Sequence, residues 1–328
     1  MPPDLLYYKS NQEVFMLQTT ERNYGYACIN MGFSTLPKSQ RITTNRGMIK
    51  RTFMAKGISY ASELALLNLK DLNKILAWNL KNDIYFYRLS SDIIPWASEY
   101  DIKTLPEYRQ IVYQCEKAGN FARKHNMRLT AHPGPFNKLA SPKERVFELT
   151  KRDLSIHGEL FDLIGLPRTP YAKLNIHVGA AYGDKPFALD NFCRNFERLP
   201  DSVKGRLTVE NDDKESLYST RELYEGIYKR IGVPIVFDYH HHRLHTGGLT
   251  EKEALELAIS TWPDDITPVV HYAESRCDEY QNYKIKPQAH SDKVIHPFDD
   301  YGHKLDVMIE AKHKEVALVE YRKLHHGA

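Results

Sequence analysis

Six side chains that can bind a divalent cation stand at or beside the ends of short apolar, β-prone runs. Three are imidazoles and three are carboxylates. An isolated carboxylate is costly to bury, whereas a divalent cation satisfies carboxylate oxygens and imidazole nitrogens together. A fold that gathers these groups in one cavity would therefore build a metal site. In chain order they are His132 (RLTAH), His177 (KLNIH), Glu210 (RLTVE), Asp238 (PIVFD), His271 (PVVH) and Glu310 (DVMIE).

Two of these segments are dense in candidate ligands. Glu210, in LTVENDD, is the candidate bridging ligand. A glutamate that ends a buried strand can hold two cations about 3.5 to 4 Å apart with its two oxygens. Asp238 opens the segment FDYHHH, where a turn would bring a following histidine beside it. The spacing alone does not choose among His240, His241 and His242.

Two of the histidines share a local pattern. His132 lies in TAHPGP and His177 in NIHVGA, so a glycine follows each within two positions. Glycine lets the backbone turn sharply and leaves room for a ligand. A single histidine of this kind would more often be a hydrogen-bonded core residue, but two at equivalent positions of successive strands favour metal binding. His290, in QAHSDK, lies in a long connection. No strand geometry fixes its position, and its role stays open.

The elements that must position these groups alternate between short β-prone runs and longer stretches with helical periodicity. Two further runs close on Asn30 (GYACIN) and on Arg88 and Ser90 (YFYRLSS). Eight such units predict an α/β fold, a single (β/α)8 TIM barrel. Reactive groups in this barrel lie at the carboxyl ends of the strands, so all eight ends should converge on one face. Helices are expected at about 62–81, 106–125, 142–165, 187–198, 216–231 and 250–260.

The barrel accounts for nearly the whole chain. Residues 1–20 are expected to form an N-terminal arm and residues 21–328 the barrel domain, with the first strand at about 24–29. Two long loops, 31–60 and 272–306, are expected at the carboxyl-end face of the strands. Loops of this length in a compact domain are usually functional or disordered.

The loop 31–60 is the clearest cationic segment. The whole chain carries a formal charge of +3 with a pI near 8.4, too mild to indicate nucleic-acid binding by itself. This loop, however, contains no acidic residue, and Arg46 and Arg51 are candidates for contact with a nucleic-acid backbone. Its cations are Lys38, Arg41, Arg46, Lys50, Arg51 and Lys56.

Composition indicates one domain that works inside a cell. The 328 residues can bury a large core. The four cysteines lie far apart with no C-x-x-C pair, which argues against a disulfide framework and a zinc knuckle. There is no run of 18 apolar residues, and the start MPPDLLYYKS resembles neither a signal nor a transit peptide. We therefore expect a cytoplasmic protein without a membrane partner.

Taken together, the motifs resemble the UV damage endonuclease family. The resemblance runs from about Tyr24 to the C-terminal helix. It implies a metal-dependent DNA repair enzyme, related in architecture to endonuclease IV, that incises double-stranded DNA on the 5′ side of UV photoproducts and leaves 3′-hydroxyl and 5′-phosphate ends. It implies no obligate protein partner. The motifs are GYACIN, YRLSSDIIPW, HPG, NIHVGAAYG, ENDD, FDYHHH, HYAES, AHSD and VMIEAKHKEVAL.

The resemblance also implies a ligand set. Two or three divalent ions are expected, typically Mn²⁺, with Zn²⁺, Mg²⁺ and Co²⁺ as alternatives. It selects His241 from the histidine triplet and pairs it with His290 on a third ion. The first ion would take His132, His177 and Glu210. The second would take the four residues to which we assign the catalytic chemistry, Glu210, Asp238, His271 and Glu310.

Recognition of the damaged site is a separate expectation. Tyr26 and Asn30 match family positions that probe the lesion. After HPG, relatives often carry glutamine and an aromatic residue, where this chain has Pro135 and Phe136. Proline has no donor, so the hydrogen-bonding half of that probe is missing, while Phe136 keeps the apolar half.

Two other positions depart from the family pattern. Some members carry a lysine ligand where this chain has Val269, which cannot bind a metal. The third ion therefore loses a candidate ligand. Glu99 follows PWAS where a relative has histidine.

Two other function classes fit part of the pattern. A sugar or sugar-phosphate isomerase can hold paired metals on the same barrel, but it gives no reason for a long cationic loop beside the mouth. A catalytically silent nucleic-acid-binding protein would keep the barrel as a platform, but eight candidate ligands are expensive to retain without a cation.

Overall fold

Eight parallel strands close into a barrel in which each strand pairs with its sequence neighbours and the last pairs with the first. The structure, a computed structural model, describes residues 23–326, so the arm expected at 1–20 lies outside the described residues. The predicted (β/α)8 barrel is confirmed. The strands are β1 (Tyr24–Ala27), β2 (Phe86–Leu89), β3 (Arg128–Ala131), β4 (Leu174–Ile176), β5 (Leu207–Glu210), β6 (Ile235–Asp238), β7 (Val269–Tyr272) and β8 (Asp306–Ile309).

Helices link the strands and cover the outside of the barrel. Beyond the second strand, the predicted helices are confirmed with bounds that differ by a few residues. Within residues 23–326, no helix combines the length and the apolar character needed to cross a lipid bilayer. The helices are α1 (Met31–Ser34), α2 (Lys50–Lys81), α3 (Tyr108–Lys124), α4 (Glu144–Ile164), α5 (Lys185–Phe196), α6 (Asp201–Lys204), α7 (Thr220–Leu223), which continues through a π-helical turn (Tyr224–Tyr228) into α8 (Lys229–Ile231), α9 (Tyr239–Leu244), α10 (Glu251–Ile259), α11 (Arg276–Glu279) and α12 (Lys314–His326).

The first long helix begins earlier than predicted. It starts at Lys50 rather than near residue 62 and passes a kink at Gly57, where φ is 63° and ψ is −160°. Glycine reaches such a conformation without the steric cost that a Cβ would bring, so two helical segments join there. Ser62 lies buried inside the helix, and its hydroxyl accepts a hydrogen bond of 3.0 Å from the Glu107 amide. Much of the expected loop 31–60 is therefore helical.

Arg128 closes the amino-terminal end of the barrel. This residue, the first of β3, is 1% exposed. Its guanidinium donates to Asp306 at 2.9 Å and to the Thr267 and Tyr171 carbonyls at 2.7 and 2.8 Å. A buried charge is tolerated when it is paired and fully hydrogen-bonded. With this end sealed, the carboxyl-end face is where the strands can present reactive groups.

The long connection 272–306 is ordered by its own contacts. It contains α11 and an isolated antiparallel bridge between Ser275 and His290. The Glu274 carboxylate accepts a hydrogen bond of 2.9 Å from the Ile295 amide. These contacts hold His290 at the mouth of the barrel, although no strand carries it.

Candidate metal centre

The carboxylate of Glu210 lies at the centre of a ring of histidines. It occupies the last position of β5 and is 1% exposed. Its Oε2 lies 3.3 Å from His132 Nε2 and 3.1 Å from His271 Nδ1. Its Oε1 lies 3.4 Å from His241 Nδ1 and 3.8 Å from His177 Nε2. Each oxygen thus faces two imidazoles, an arrangement suited to a bridging carboxylate.

Three groups of side chains could each hold one cation. In each group, one ligand atom per residue lies within 4.8 Å of the others. Neighbouring groups share Glu210 or Asp238, so the three possible positions are contiguous. The groups are His132, His177 and Glu210; Glu210, Asp238 and His241; and Asp238, His271 and Glu310.

The turn after β6 decides which histidine of FDYHHH joins the centre. Asp238 caps α9, accepting a hydrogen bond of 2.8 Å from the His241 amide. This turn points the His241 ring at Glu210. His242 is buried, with its ring centroid 5.2 Å from that of Phe237, and His240 is buried outside the three groups. Of the three histidines of FDYHHH, His241 is the one that belongs to a candidate ligand group among residues 23–326.

His290 lies beside the centre rather than within it. Its Nδ1 is 3.7 Å from Glu310 Oε2, and its ring centroid is 6.4 Å from that of His241. It belongs to none of the three groups found among the described residues. The pairing of His241 with His290 on a third ion stays a prediction, and the described groups place His241 with Glu210 and Asp238.

The residues present fit a divalent cation. Asp238 is fully buried, and its Oδ2 receives no hydrogen bond from any residue in 23–326. A buried polar atom without a partner is destabilising. Burial, helped by the neighbouring carboxylates of Glu210 and Glu310 and opposed by His241, raises the pKa of Asp238 to about 6. A cation would relieve both the unpaired oxygen and the repulsion between carboxylates.

The histidines differ in their readiness to donate a lone pair. Burial lowers the pKa of His132 to about 4, so this imidazole is neutral near pH 7. Burial also lowers the pKa of His177, but the Glu210 and Asp212 carboxylates outweigh it and raise the value to about 9. His177 therefore carries a proton near pH 7 that a cation must displace, because metals bind the neutral imidazole.

Three residues that contact the centre were not assigned a role from the sequence. Arg88 forms an ion pair with Glu310. Asn175 donates a hydrogen bond to Glu210. Lys173 is fully buried, with Nζ 3.2 Å from His271 Nε2, and burial lowers its pKa to about 7.

Two of these residues, Lys173 and Asn175, could have been identified from the alternating side-chain directions of β4. In KLNIH, Lys173 and Asn175 stand four and two positions before His177. Successive side chains of a strand point to opposite faces, so these three share the barrel interior.

Tyr26 and Asn30 support the barrel in this structure rather than facing DNA. Tyr26 is fully buried and donates a hydrogen bond of 2.8 Å to Asn79. Asn30 is 1% exposed, donates to the Tyr26 hydroxyl at 3.2 Å and caps α1 through the Phe33 amide at 3.0 Å. The expectation that these residues probe the lesion is corrected, since neither side chain is accessible.

Arg46 and Arg51 have different surroundings. Arg46 forms an ion pair with Asp71 of α2 and donates to the Thr43 carbonyl at 2.6 Å. The cationic segment therefore has a compensating acid after all, supplied from outside the segment, and Arg46 holds the loop in place. Arg51 is exposed in the first turn of α2 and has no carboxylate within 4.0 Å among the described residues. It remains the stronger candidate for contact with phosphate.

The four remaining positions predicted from the sequence differ in their solvent exposure. Pro135 is exposed, and Phe136 is 87% exposed at the mouth of the barrel. Val269 is buried in an apolar cluster with Val236, Trp262, Met308 and their neighbours, so it leaves no ligand where some relatives carry lysine. Glu99 is exposed in a short 3-10 turn and belongs to none of the three groups.

Comparison with known proteins gives a consistent result. The sequence model of the family described as UV-endonuclease UvdE matches residues 22–326. The UV-damage endonuclease of Schizosaccharomyces pombe is 36% identical over 304 residues, which cover 90% of this chain and 49% of that protein. The UV DNA damage endonuclease of Clostridium perfringens is 31% identical over 89% of this chain and 69% of that protein. The chain thus spans about half the length of the first relative.

Solved structures agree. The crystal structure of SacUVDE superimposes with a TM-score of 0.78 at 27% identity, covering 92% of this chain and 97% of that chain. Endonuclease IV from Thermus thermophilus shares the fold, with a TM-score of 0.51 at 12% identity over 93% of this chain and 100% of that one. The family match includes all of residues 23–326, and the chain is a member of the UV-endonuclease UvdE family.

Proposed function

We propose that this chain is a metal-dependent DNA repair endonuclease that incises duplex DNA on the 5′ side of UV photoproducts, leaving 3′-hydroxyl and 5′-phosphate ends. The observation that carries the proposal is the contiguous set of ligand groups around Glu210, at the carboxyl-end face of the barrel. Membership of the UvdE family and the names of the relatives support the choice of substrate. They favour it over sugar isomerisation and over a silent binding protein.

The proposed cofactor is a cluster of two or three divalent ions, with Mn²⁺ as the expected metal. The mixed set of imidazoles and carboxylates suits Mn²⁺ and also Zn²⁺. One ion would be held by His132, His177 and Glu210, and another by Asp238, His271 and Glu310. His241 with Glu210 and Asp238 offers the third position. Bound there, the cations would supply a hydrolytic water of lowered pKa and neutralise charge on the phosphate.

In the proposed reaction, the protein's own side chains hold and orient the metal ligands. Glu210 shares its two oxygens between neighbouring positions, and Asn175 fixes the carboxylate by a hydrogen bond. Arg88 orients Glu310 through their ion pair. The Nζ atom of Lys173 contacts Nε2 of His271, and Nδ1 of the same ring faces the carboxylates. Contacts of this kind usually set how tightly a ligand shell binds its metal.

One assay tests the proposal directly. The purified protein is incubated with Mn²⁺ and either a duplex with one defined photodimer or a matched abasic duplex, and the cut position and end groups are mapped. We expect a cut immediately 5′ to the photodimer with a 3′-hydroxyl end. Activity that requires no metal, or no cut on the photodimer duplex, would reject the proposal.

Phe136 is expected to contribute to recognition of the lesion. An aromatic side chain that is 87% exposed at the mouth can wedge between or stack on displaced bases. Stacking of this kind is worth about 1 to 3 kcal/mol per base. Phe136→Ala should therefore weaken binding to a photodimer duplex by about tenfold, while the metal content stays unchanged.

The matched control for Phe136 is Tyr113→Ala. Tyr113 is 61% exposed on α3 and is also an exposed aromatic residue, but it belongs to the outer helical layer. Equal losses of affinity in the two variants would remove Phe136 from the recognition surface.

Lys50 and Arg51 are expected to contact the DNA backbone. Both are exposed in the first turn of α2. Removing a cation that neutralises one phosphate should lower the slope of log affinity against log salt by about 0.9 for duplex DNA. The double variant Lys50→Ala with Arg51→Ala should therefore bind damaged and undamaged duplexes more weakly, with a slope reduced by up to about 1.8.

Arg46→Ala serves as the comparison for that pair. Because Arg46 is engaged by Asp71, its replacement should loosen the loop and lower thermal stability more than it changes the salt slope. A wild-type slope in the Lys50/Arg51 variant would contradict the assignment of this surface to DNA.

A further inference from the structure

A cavity opens beside the metal centre, next to the group formed by Asp238, His271 and Glu310. Its volume is about 370 Å³, and it lies between the end of β8 and the connection 272–306. It shares Glu310 and Arg88 with the centre. The side chains that matter here are Arg88, His290, Glu310, Lys312 and Lys314.

The charge in this cavity is unbalanced. Arg88, Lys312 and Lys314 line it with a single carboxylate, Glu310, and that carboxylate is already paired with Arg88. Neither lysine has a carboxylate within 4.0 Å among residues 23–326. Arg88 Nε is buried and finds no acceptor in the same part of the chain. The cavity thus offers several donors and positive charge to an anion.

Lys314 is held in an unusual backbone conformation. Its φ is 51°, in the left-handed region that a residue with a Cβ seldom adopts. Two contacts maintain it: the Lys314 amide donates to the Ala311 carbonyl at 3.2 Å, and the next residue, Glu315, accepts from the Met31 and Gly32 amides at 2.8 Å. Strain of this kind is found preferentially at functional sites. Lys314 also begins α12, where the helix dipole adds positive charge.

We propose that this cavity binds a phosphate group of the DNA backbone next to the phosphodiester held at the metal centre, with Lys312, Lys314 and Arg88 as its ligands. The proposal rests on the proposed function for the identity of the nucleic acid. A phosphodiester suits the site because it is a compact anion with several strong acceptors, and both arginine and lysine bind it through charge-assisted hydrogen bonds. The shared chemistry also fits free inorganic phosphate, which the experiment separates.

The first arm uses a photodimer duplex, in which the lesion fixes the register of the protein. Single phosphates around the lesion are replaced in turn by neutral methylphosphonates, and affinity is measured for the wild-type protein and for Lys312→Gln with Lys314→Gln. Glutamine keeps most of each side chain and removes the charge. We expect one phosphate beside the cut site at which the methylphosphonate weakens wild-type binding by about tenfold, as expected when a hydrogen bond to a charged group is removed. The same replacement should change binding of the double variant less than twofold.

The second arm uses undamaged duplex and does not depend on lesion recognition. The double variant should show a salt slope lower by about 0.9 for each phosphate that the lysines no longer neutralise, while its metal content equals that of the wild type. The matched control, Lys117→Gln with Lys124→Gln, removes two exposed charges from α3 and should leave the slope unchanged. A third arm follows the ³¹P line width of inorganic phosphate with each protein.

The outcomes are distinct. Identical methylphosphonate patterns and salt slopes in the wild type and the lysine variant would overturn the proposal. Broadening of the inorganic phosphate signal by the wild type alone, without any coupling to a DNA phosphate, would also overturn it and assign the cavity to free phosphate. If the wild type fails to cut photodimer duplexes, the proposed function fails, whereas the salt slope on undamaged DNA still tests the cavity.

Discussion

Glu210→Gln is expected to lose at least one bound divalent ion and to lower incision by at least about a hundredfold. Removal of an outer hydrogen-bond partner of a metal ligand already costs about 10- to 100-fold, and Glu210 is a shared ligand in two of the three groups. Burial raises the pKa of Glu210, but His271, His177 and hydrogen bonds from the histidines outweigh it and hold the pKa well below its usual range. The carboxylate is therefore charged. Glutamine keeps its shape but removes that charge.

Glutamine at position 210 should leave the fold intact, because its amide oxygen can still accept the Asn175 hydrogen bond. Metal content after dialysis, circular dichroism and the rate of photodimer incision are measured on the same preparation. Glu215→Gln, an exposed carboxylate on the loop that follows β5, is the control and should behave as wild type. Full metal content with near-normal incision in Glu210→Gln would disprove the bridging role.

The second large effect is expected from His241→Ala compared with His242→Ala. The two residues are adjacent in sequence and belong to the same short helix. Only His241 faces Glu210 Oε1 and Asp238 Oδ2, at 3.4 and 3.8 Å. We therefore expect His241→Ala to weaken binding of one ion and to reduce incision by about a hundredfold, since a metal ligand is removed.

His242→Ala should keep the metal and most of the activity. Its ring packs near Phe237 and is 2% exposed, so its replacement should lower thermal stability by leaving a cavity in the packing. Titration of the metal-free proteins with Mn²⁺, monitored by calorimetry, separates the loss of a metal ligand from the loss of thermal stability. A full complement of ions in His241→Ala, or a reduced metal content in His242→Ala, would show that another histidine of FDYHHH is the ligand.

Local pattern alone predicted the barrel and most of the candidate ligands that lie at its carboxyl-end face. Short β-prone runs that alternate with helical stretches allow few other folds, and parallel strands direct their carboxyl ends to one face. The positions of His132, His177, Glu210 and His271 at that face followed from this rule. The start of α10 is also determined by nearby residues, because Thr250 and the glutamate three residues later form a capping box.

Tertiary contacts decided what the local pattern left open. Asp238 selected His241 by capping a turn, a hydrogen-bond geometry that spacing cannot specify. Asp71, 25 positions away, engaged Arg46 and changed its role from a candidate DNA contact to a support for the loop.

Barrel closure placed the remaining parts of the site. Lys173 meets His271 although 98 residues separate them, and Arg88 meets Glu310 across 222 residues. Tyr26 is fully buried, and its hydroxyl donates a hydrogen bond to Asn79 of α2, 53 residues away. Side-chain periodicity in the sequence determines which face of a strand a residue occupies. Which distant residue it meets there depends on how the strands close into the barrel, and that is a property of the whole chain.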